Sequence, residues 1–425
     1  MANDKPPTLI FGIESIPLEI FELMKKSKVC TLSVATIHQV EACKKACLLQ
    51  KGEDKTCGES HSFDVLGLEP CTMETDSYPP GVSNSGIIMN CSLLDIMYLD
   101  QEDENKGVVI LEVDKFLMKK EVLAKTSATK VKKAENGNGR KTLARIEANL
   151  VEPIGSLGDG RFAALDGPYH MYRPKRVQQE DGSTQWINCE FVDPPDSEYS
   201  ELLGDDIEFV HSKEETCALG YNPTKQVVLP RPIGWISTFA PNSYLEHVAP
   251  YSFFIDVARG DRPMVAFVSM MRNRVERKDA QTDSEDTGVF AWNVVTKDLA
   301  EVMNYSSAGE LFCNFIYYGN RLTFALDLKS SESEFELIGM KSSSASIINA
   351  PIVQESPIVF ECRHVKSKLA PTHAESDGKW TIVVGEVVGI KIDKSVLTDG
   401  RVDPTKLQPV SRLGYSQEYG LVKIL

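Results

Sequence analysis

Arg231, Ser237, Thr238 and Ser252 lie close together in a stretch that reads LPRPIGWISTFAPNSYLEHVAPYSFF. A guanidinium donates two parallel N–H bonds to a phosphate, and serine and threonine hydroxyls supply further donors. Gly234 has no side chain, so a flat ring can approach the strand backbone there. These residue types predict a site for a phosphorylated ligand that carries a planar ring.

The same stretch leaves two roles open for Trp235. An aromatic residue in a strand normally packs into the core, but it can also contact a ligand ring. The usual nucleotide-binding loops are absent from the sequence, because neither GxGxxG nor GxxxxGK[ST] occurs. A phosphate site must therefore take its donors from strand ends and loops.

The elements that would position these side chains are strands. Seven apolar, β-branched runs in the C-terminal half predict them, with turn signals in between. The runs are QVVLP, GWISTF, YSFFIDV, PMVAFVSM, GVFAWNVV, PIVFECRHV and WTIVVGEVVGIKI. Lys297–Tyr305 is the best helix candidate, with Thr296 as N-cap and Asp298 in the first turn. The pattern indicates a mainly β barrel with one or two helices.

Two domains are predicted, an N-terminal domain at 1–210 and a C-terminal domain at 212–425. The runs PTLIFGIESI, KVCTLSVATI and KGVVILEV, separated by polar loops, are typical of an α/β or α+β domain. The basic stretch 119–141 ends in ENGNGRK and predicts a solvated loop. We interpret the N-terminal region as an accessory domain of unassigned function. A γ-glutamylcyclotransferase-like fold is the alternative, although its Tyr-Gly-Ser/Thr start is missing.

Composition and charge exclude several classes of partner. The chain has 425 residues and a formal net charge of −15, which disfavours nucleic acid and anionic membranes. No apolar run reaches the roughly 20 residues that span a bilayer, and the start lacks a secretory signal pattern, so a cytoplasmic location is expected. Cys43 and Cys47 lie one helical turn apart, but no ligands at zinc spacing lie nearby, so no metal site is expected.

Several motifs of the C-terminal half occur in an order that resembles a known family. They are PRPIGWIST, APYSFF, VAF, RKD, WNVVTKDLAEVMN, SSA, VGEVVGIKID and DGRVDPTKLQPVSRLG. The resemblance is to the flavin reductase-like family with an FMN-binding split barrel, and it covers Tyr221 to about Tyr419. It implies a homodimer that holds FMN non-covalently near its interface. It also implies hydride transfer from NADH or NADPH to the flavin, which then passes electrons to a small-molecule acceptor.

The resemblance also implies a set of cofactor-binding residues. The strand Arg231–Thr238 would run along the isoalloxazine ring, and the APYSFF and RKD motifs would hold the phosphate. The full set is Arg231, Gly234, Trp235, Ile236, Ser237, Thr238, Ser252, Phe253, Arg277, Lys278 and Asp279. No catalytic residue is assigned, because the flavin carries the hydride chemistry and the protein positions the rings.

Three positions depart from the family pattern. Ile255, Ala280 and Asp283 stand where the family usually has Asn, Thr and a second Asn. The segment ELFCNFIYYGNRLTFALDLKSS is also longer than its family counterpart, which predicts that one wall of the site is remodelled. Two functions are therefore left open: an FMN-dependent NAD(P)H oxidoreductase, or a flavin-binding interaction or sensor protein without reductase turnover.

Overall fold

The computed structural model describes most of the chain, with gaps between the described ranges. These ranges are 3–4, 7–50, 63–71, 77–100, 103–119, 122–125, 144–146, 148–158, 161–171, 175–178, 184–187, 191–192, 207–210, 223–271, 276–307, 332–371, 380–414 and 418–425. Most of the basic stretch, 126–141, and the long segment 310–331 lie outside the described residues. The expectations for those two segments stay predictions.

Strands are the main regular structure of the described residues. In the first half of the chain they are β1 (Asn3–Asp4), β2 (Pro7–Gly12), β3 (Val29–Ser33), β4 (Pro70–Cys71), β5 (Gly81–Val82), β6 (Ile87–Tyr98), β7 (Gly107–Met118), β8 (Leu123–Lys125), β9 (Ala144–Ile146), β10 (Ile154–Gly158), β11 (Arg161–Met171), β12 (Lys175–Gln178), β13 (Thr184–Ile187), β14 (Phe191–Val192) and β15 (Ile207–Val210). In the second half they are β16 (Arg231–Pro232), β17 (Gly234–Phe239), β18 (Glu246–Tyr251), β19 (Phe254–Ala258), β20 (Met264–Met270), β21 (Val289–Asn293), β22 (Ser342–Ser344), β23 (Pro351–Val353), β24 (Ile358–Leu369), β25 (Trp380–Ile392), β26 (Leu397–Thr398), β27 (Arg401–Val402), β28 (Val410–Arg412) and β29 (Glu418–Ile424).

The α-helices of the described ranges are short. They are α1 (Leu18–Ser27), α2 (Val40–Gln50), α3 (Phe63–Leu66), α4 (Ala148–Val151), α5 (Thr224–Val227), α6 (Asp279–Thr287), α7 (Ala300–Tyr305), α8 (Glu334–Leu337) and α9 (Pro404–Leu407). The 3-10 turns Ile37–Gln39 and Lys297–Leu299 lead directly into α2 and α7. In this part of the chain no helix is long and apolar enough to cross a membrane.

Three large antiparallel sheets organise these strands. The first has the order β1-β2-β7-β6-β3, with β15 on the other side of β7, and the second has the order β18-β17-β21-β24-β25-β20-β19. β18 and β19 are the two edges of the second sheet, yet only Ser252 and Phe253 separate them in the chain. The two edges must therefore meet, which bends this sheet into a barrel.

The third sheet joins the two halves of the chain. Its order is β10-β11-β29-β28-β16, so strands from before residue 210 pair with strands from after it. The largest apolar core also has members from both halves, such as Val108 and Ile110 together with Ile382 and Val384. The predicted boundary at 210 to 212 is therefore crossed by both a shared sheet and a shared core.

The predicted barrel strands are mostly confirmed, with two differences. QVVLP was predicted as a strand, but this prediction is wrong, because Val227 and Val228 donate helical hydrogen bonds to Pro223 and Thr224. YSFFIDV was predicted as one strand, whereas the chain turns at Ser252 between β18 and β19. The predicted helix begins as the turn Lys297–Leu299, and its N-cap Thr296 makes no side-chain capping bond.

Candidate functional site

Ser252 is the point at which two clefts of the C-terminal half meet. It lies in the turn between β18 and β19, and it lines both a polar cleft and an apolar cleft. No hydrogen bond joins its hydroxyl to another side chain or backbone group of the described residues. The turn therefore presents a hydroxyl that is available to a ligand.

The polar cleft has a volume of about 80 Å³ and is lined on one side by the cationic Arg412. The Arg412 guanidinium lies 4.5 Å from the centre of the Tyr419 ring, and it donates a hydrogen bond to the Tyr419 hydroxyl. The Ser307 hydroxyl donates to the Asn304 carbonyl at 2.6 Å. The lining residues are Ile233, Pro250, Ser252, Met303, Ser307, Arg412 and Tyr419. A guanidinium beside a serine hydroxyl can bind a phosphoryl group.

The apolar cleft has a volume of about 180 Å³ and lies between the two halves of the chain. β2 and the turn that follows it form one wall. The other wall includes Phe253, which packs on Trp380 with ring centres 5.5 Å apart. The lining residues are Leu9, Ile10, Phe11, Gly12, Ser15, Val228, Pro230, Arg231, Pro232, Ser252, Phe253, Phe254, Ile255 and Asp256. Such a lining suits a flat apolar ring better than a charged group.

Arg231 lies at the apolar cleft with its side chain buried. Its guanidinium donates to the carbonyls of Lys225 at 2.5 Å, Val228 at 3.2 Å and Leu413 at 2.6 Å. It also lies over the Phe253 ring, 5.6 Å from the ring centre. Arg231 therefore ties α5 and the end of β28 to the barrel.

Gly234 does permit the close approach of a ring, as the sequence indicates, but the ring belongs to the protein. A Cβ atom at Gly234 would lie 2.4 Å from Cδ2 of Phe254. Next to it, the Trp235 side chain is fully buried and its indole N–H donates to the Ser306 hydroxyl at 2.9 Å. Of the two roles left open by the sequence, Trp235 has that of a core residue in this structure.

Ile236, Ser237 and Thr238 are fully buried in β17. The Ser237 hydroxyl donates to the Pro351 carbonyl at 2.6 Å, and the Thr238 hydroxyl donates to Asp283 at 2.7 Å. Two of the three hydroxyls that the sequence offers as ligand donors are thus used inside the fold. Their assignment as cofactor-binding residues stays a prediction.

The RKD motif lies at the start of α6. Arg277 is more than half exposed and pairs with Glu285 at 2.6 Å. Lys278, the N-cap residue, is buried, and its ammonium lies 5.3 Å from the centre of the Tyr251 ring. Tyr251 directly precedes Ser252 in the chain, but Lys278 is not among the residues that line either cleft. Asp279 occupies the first turn of α6.

The three departures from the family pattern have distinct surroundings. Ile255 lines the apolar cleft, and Ala280 packs in a buried cluster with Phe267 and Phe290. Asp283 is buried and forms a hydrogen bond to Nδ1 of His247 at 2.8 Å, beside its bond to Thr238. Asp283 is therefore a structural partner of β17 and β18.

A buried group of ionisable side chains surrounds His247. Burial lowers the pKa of His247, but its hydrogen bond to Asp283 and the negative charges nearby, Glu334 among them, raise it above the ordinary histidine value. Burial raises the pKa of Glu334 to about 7, although its carboxylate accepts a hydrogen bond from the Val248 N–H at 3.2 Å. The sequence analysis did not identify this group, because α6, β18 and α8 are distant in the chain.

Comparisons with known proteins find a family match within the C-terminal half. A family model described as "Flavin reductase like domain" matches residues 227–408. An uncharacterised protein of Aquifex aeolicus is 29% identical over 223 residues, which is 51% of this chain and 99% of that protein. An uncharacterised protein of Halalkalibacterium halodurans is 26% identical over 193 residues, 45% of this chain and 82% of its own.

A solved structure similar to this chain is nitrilotriacetate monooxygenase component B from Bacillus cereus. It is 22% identical with a TM-score of 0.39, and the match covers 46% of this chain and 86% of that one. The family match confirms the recognition and the mainly β split-barrel fold predicted for the C-terminal half. The N-terminal half lies outside the matched residues.

Proposed function

We propose, from the premise that residues 227–408 form a flavin reductase like domain, that the protein is an FMN-dependent oxidoreductase using NADH or NADPH. The observation that carries this proposal is the polar cleft, where the Arg412 guanidinium and the Ser252 hydroxyl line the same space. A cation beside a hydroxyl donor suits a phosphate. The adjoining apolar cleft, lined by Phe253 and Ile255, suits a planar ring.

Each residue then has a definite role. Bound FMN supplies the hydride chemistry, which requires no strong acid or base from the protein. Arg412 and Ser252 would hold the phosphate end, and Lys278 would add positive charge beside the same turn. Phe253 and Ile255 would exclude water from the ring. The electron acceptor would be a small molecule that reaches the open face of the cleft.

The test uses the purified full-length chain supplemented with FMN and then desalted. We expect the visible spectrum of a bound flavin at close to one per chain. We expect this absorbance to be bleached by NADH or NADPH without oxygen, and to return when a small-molecule acceptor is added. A desalted sample without flavin, together with equal affinity for riboflavin and FMN in a titration, would contradict the proposal.

A second candidate, a flavin-binding interaction or sensor protein, is favoured by one specific observation. The hydroxyls of Ser237 and Thr238 donate within the fold, and the Ile255 and Ala280 side chains are apolar. Fewer polar groups would then act on the flavin than in the family pattern. Retention of FMN without bleaching by either nicotinamide would select this candidate.

A further inference from the structure

Residues 7–171 repeat the strand arrangement of residues 264–424. The order β3-β6-β7-β2 in the first sheet corresponds to β21-β24-β25-β20 in the barrel sheet, and every pairing is antiparallel in both. We infer that the N-terminal half is a second copy of the barrel fold, and that it occupies within one chain the place of a partner subunit.

The registers of the two long hairpins agree position by position. When Ile87 of β6 is set on Ile358 of β24, the bulge at Asn90/Cys91 falls on the bulge at Glu361/Cys362. The second bulge, at Leu93/Asp95, falls on His364/Lys366. A β-bulge inserts an extra residue at one defined position, so two coincident bulges are a specific signature of a shared fold.

The turns and caps around these hairpins also agree. Lys28 and Gly288 are the C-caps of α1 and α6, and both have a left-handed backbone conformation. β3 follows Lys28 directly, and β21 follows Gly288 directly. The residues that lead into α2 and α7 each form an isolated bridge to a proline, and the residue before each proline has a positive φ. The bridges are Thr36 with Pro153 and Thr296 with Pro409. The residue before Pro153 is Glu152 at φ 48°, and the residue before Pro409 is Gln408 at φ 47°.

A two-fold axis between the copies follows from the shared sheet. Ala164 faces the first residue of β10, and Leu421 faces the first residue of β28, so Ala164 and Leu421 are equivalent. Leu165 and Val422 are then equivalent too, and they pair with each other between β11 and β29. Two equivalent residues face each other in an antiparallel pair when a two-fold axis passes between them.

The core between the halves shows the same symmetry. Ile10, Val108 and Ile110 of the N-terminal copy belong to the largest core, and so do their counterparts Ala266, Ile382 and Val384. Using one surface twice defines an isologous interface, the usual form of a two-fold dimer. In this chain that surface is already buried by the other half.

The second copy also lines the candidate cofactor site. β2 and its following turn form one wall of the apolar cleft, opposite Ser252 and Phe253. At the N-cap of α1 the N-terminal copy has Pro17, whereas α6 has Lys278. One cofactor per chain follows, held by the C-terminal copy and covered by the N-terminal copy. This last step rests on the proposed function, whereas the repeat itself does not.

This arrangement competes with the homodimer that the family resemblance implies, and a cross-link separates the two. In the full chain, Leu165→Cys and Val422→Cys place two thiols on facing strand positions, where the Cα separation of an antiparallel pair suits a disulfide. We expect the oxidised double variant to run as a single chain on a denaturing, non-reducing gel. Its digest should contain a disulfide-linked pair of peptides that carry the two substituted positions. Each single variant is the control.

A cross-link that joins two chains through these positions, or none under oxidation, would overturn the repeat and its axis. A second variant tests the wall of the cleft. A Cβ atom at Gly12 would lie 2.3 Å from the Val257 carbonyl oxygen, so Gly12→Ala must move β2 away from β19. We expect at least a tenfold loss of FMN affinity, whereas Gly155→Ala, whose Cβ would lie 3.5 Å from Pro230, should have none.

Unchanged FMN affinity in Gly12→Ala would overturn the role of the N-terminal copy at the site. Because the cross-link reads the chain fold without any flavin, its result stands even if the protein binds no FMN. Circular dichroism of Gly12→Ala confirms that the variant is folded before its affinity is measured.

Discussion

Arg412 lines the polar cleft together with Ser252, whereas Lys278 contacts the ring of the preceding Tyr251, so their contributions to FMN binding can be separated. A hydrogen bond to a charged group contributes about 1.5 to 3 kcal/mol, and about 1.4 kcal/mol corresponds to a tenfold change in affinity. We expect Arg412→Ala and Lys278→Ala each to weaken FMN roughly tenfold or more, with riboflavin affinity nearly unchanged. Quenching of flavin fluorescence measures both ligands.

Arg277→Ala separates the two cations of the RKD motif. The family resemblance implies that Arg277 also holds the phosphate, but its side chain is largely exposed and paired with Glu285. This variant should leave both affinities within about twofold, since exposed ion pairs contribute little. Equal losses of FMN and riboflavin in Arg412→Ala would mean that the arginine supports the fold through Tyr419. The phosphate would then lie elsewhere.

The raised pKa of Glu334 predicts how the stability of the protein depends on pH. The folded-state pKa of about 7 lies above the ordinary value of 4.5, so the folded protein binds the proton more tightly. The free energy of unfolding therefore falls as pH rises from about 5 to 7. His247, whose pKa is also raised, changes stability in the same direction as it loses its proton.

Glu334→Gln should flatten this slope, because glutamine is neutral at every pH and keeps an acceptor for the Val248 N–H. Since one pKa unit corresponds to about 1.4 kcal/mol, the variant should lose a pH-dependent contribution to the free energy of unfolding of order 3 kcal/mol. Urea unfolding at pH 5 and at pH 7 measures it. Glu336→Gln, on the exposed side of the same helix, is the control, and an equal slope in both variants would exclude Glu334 as its source.

At this scale the sequence predicted residue types better than residue partners. Ser237 and Thr238 carry hydroxyls of the kind that a phosphate site needs, yet these hydroxyls donate to Pro351 and Asp283. Arg412 was part of a motif but received no role. It lies far from Ser252 in the sequence, and the pairings of β28 with β16 and with β29 place it at the cleft.

Among the elements, β25 packs closely against a large aromatic side chain at one of its glycines. A Cβ atom at Gly385 would lie 2.4 Å from two ring atoms of Phe290, which is fully buried. Gly385→Ala should lower the free energy of unfolding by about 1 to 3 kcal/mol, the usual cost of overpacking a core. Chemical denaturation followed by circular dichroism measures the change.

Gly389 on the same strand is the matched control. A Cβ there would lie 2.4 Å from Cδ1 of Ile347, an exposed side chain that can move away. Gly389→Ala should therefore change stability by less than about 0.5 kcal/mol. If the two variants lose the same stability, the packing of Phe290 against β25 is not the cause.

The strands were largely predictable where apolar, β-branched runs were long. WTIVVGEVVGIKI became β25 and PMVAFVSM contains β20, since β-branched residues suit a buried strand. QVVLP has similar residues but forms a helical turn, because Pro223 accepts a helical hydrogen bond from Val227. The residue types of QVVLP alone do not distinguish this helical turn from a strand.

For the whole molecule, the repeat escaped prediction because the two copies agree in register more than in sequence. Val34 and Val294, Thr36 and Thr296, and Cys91 and Cys362 are identical pairs, but most other positions differ. What the copies share is strand length, bulge position and burial. These properties appear only once the pairing partners of the strands are known. The sequence alone therefore predicts an unrelated α/β or α+β domain for the N-terminal half.

The shared core predicts that both halves unfold together. Cys91 and Cys362 occupy equivalent positions and both are fully buried. The hydrogen bond with Cys30 and burial raise the pKa of Cys91, and burial raises the pKa of Cys362. Each is unreactive until its own copy opens. We expect pulsed thiol labelling in increasing urea, read by peptide mass spectrometry, to give the same midpoint for both cysteines.

Cys43 on α2 is only partly buried, so it should label at lower urea and serves as the control for reagent access. Cooperative unfolding follows because separating the copies would expose Val108, Ile110, Ile382 and Val384 at once. If Cys91 became reactive well below the midpoint of Cys362, the N-terminal copy would unfold independently. Its contact with β19 would then be too weak to cover a cofactor site.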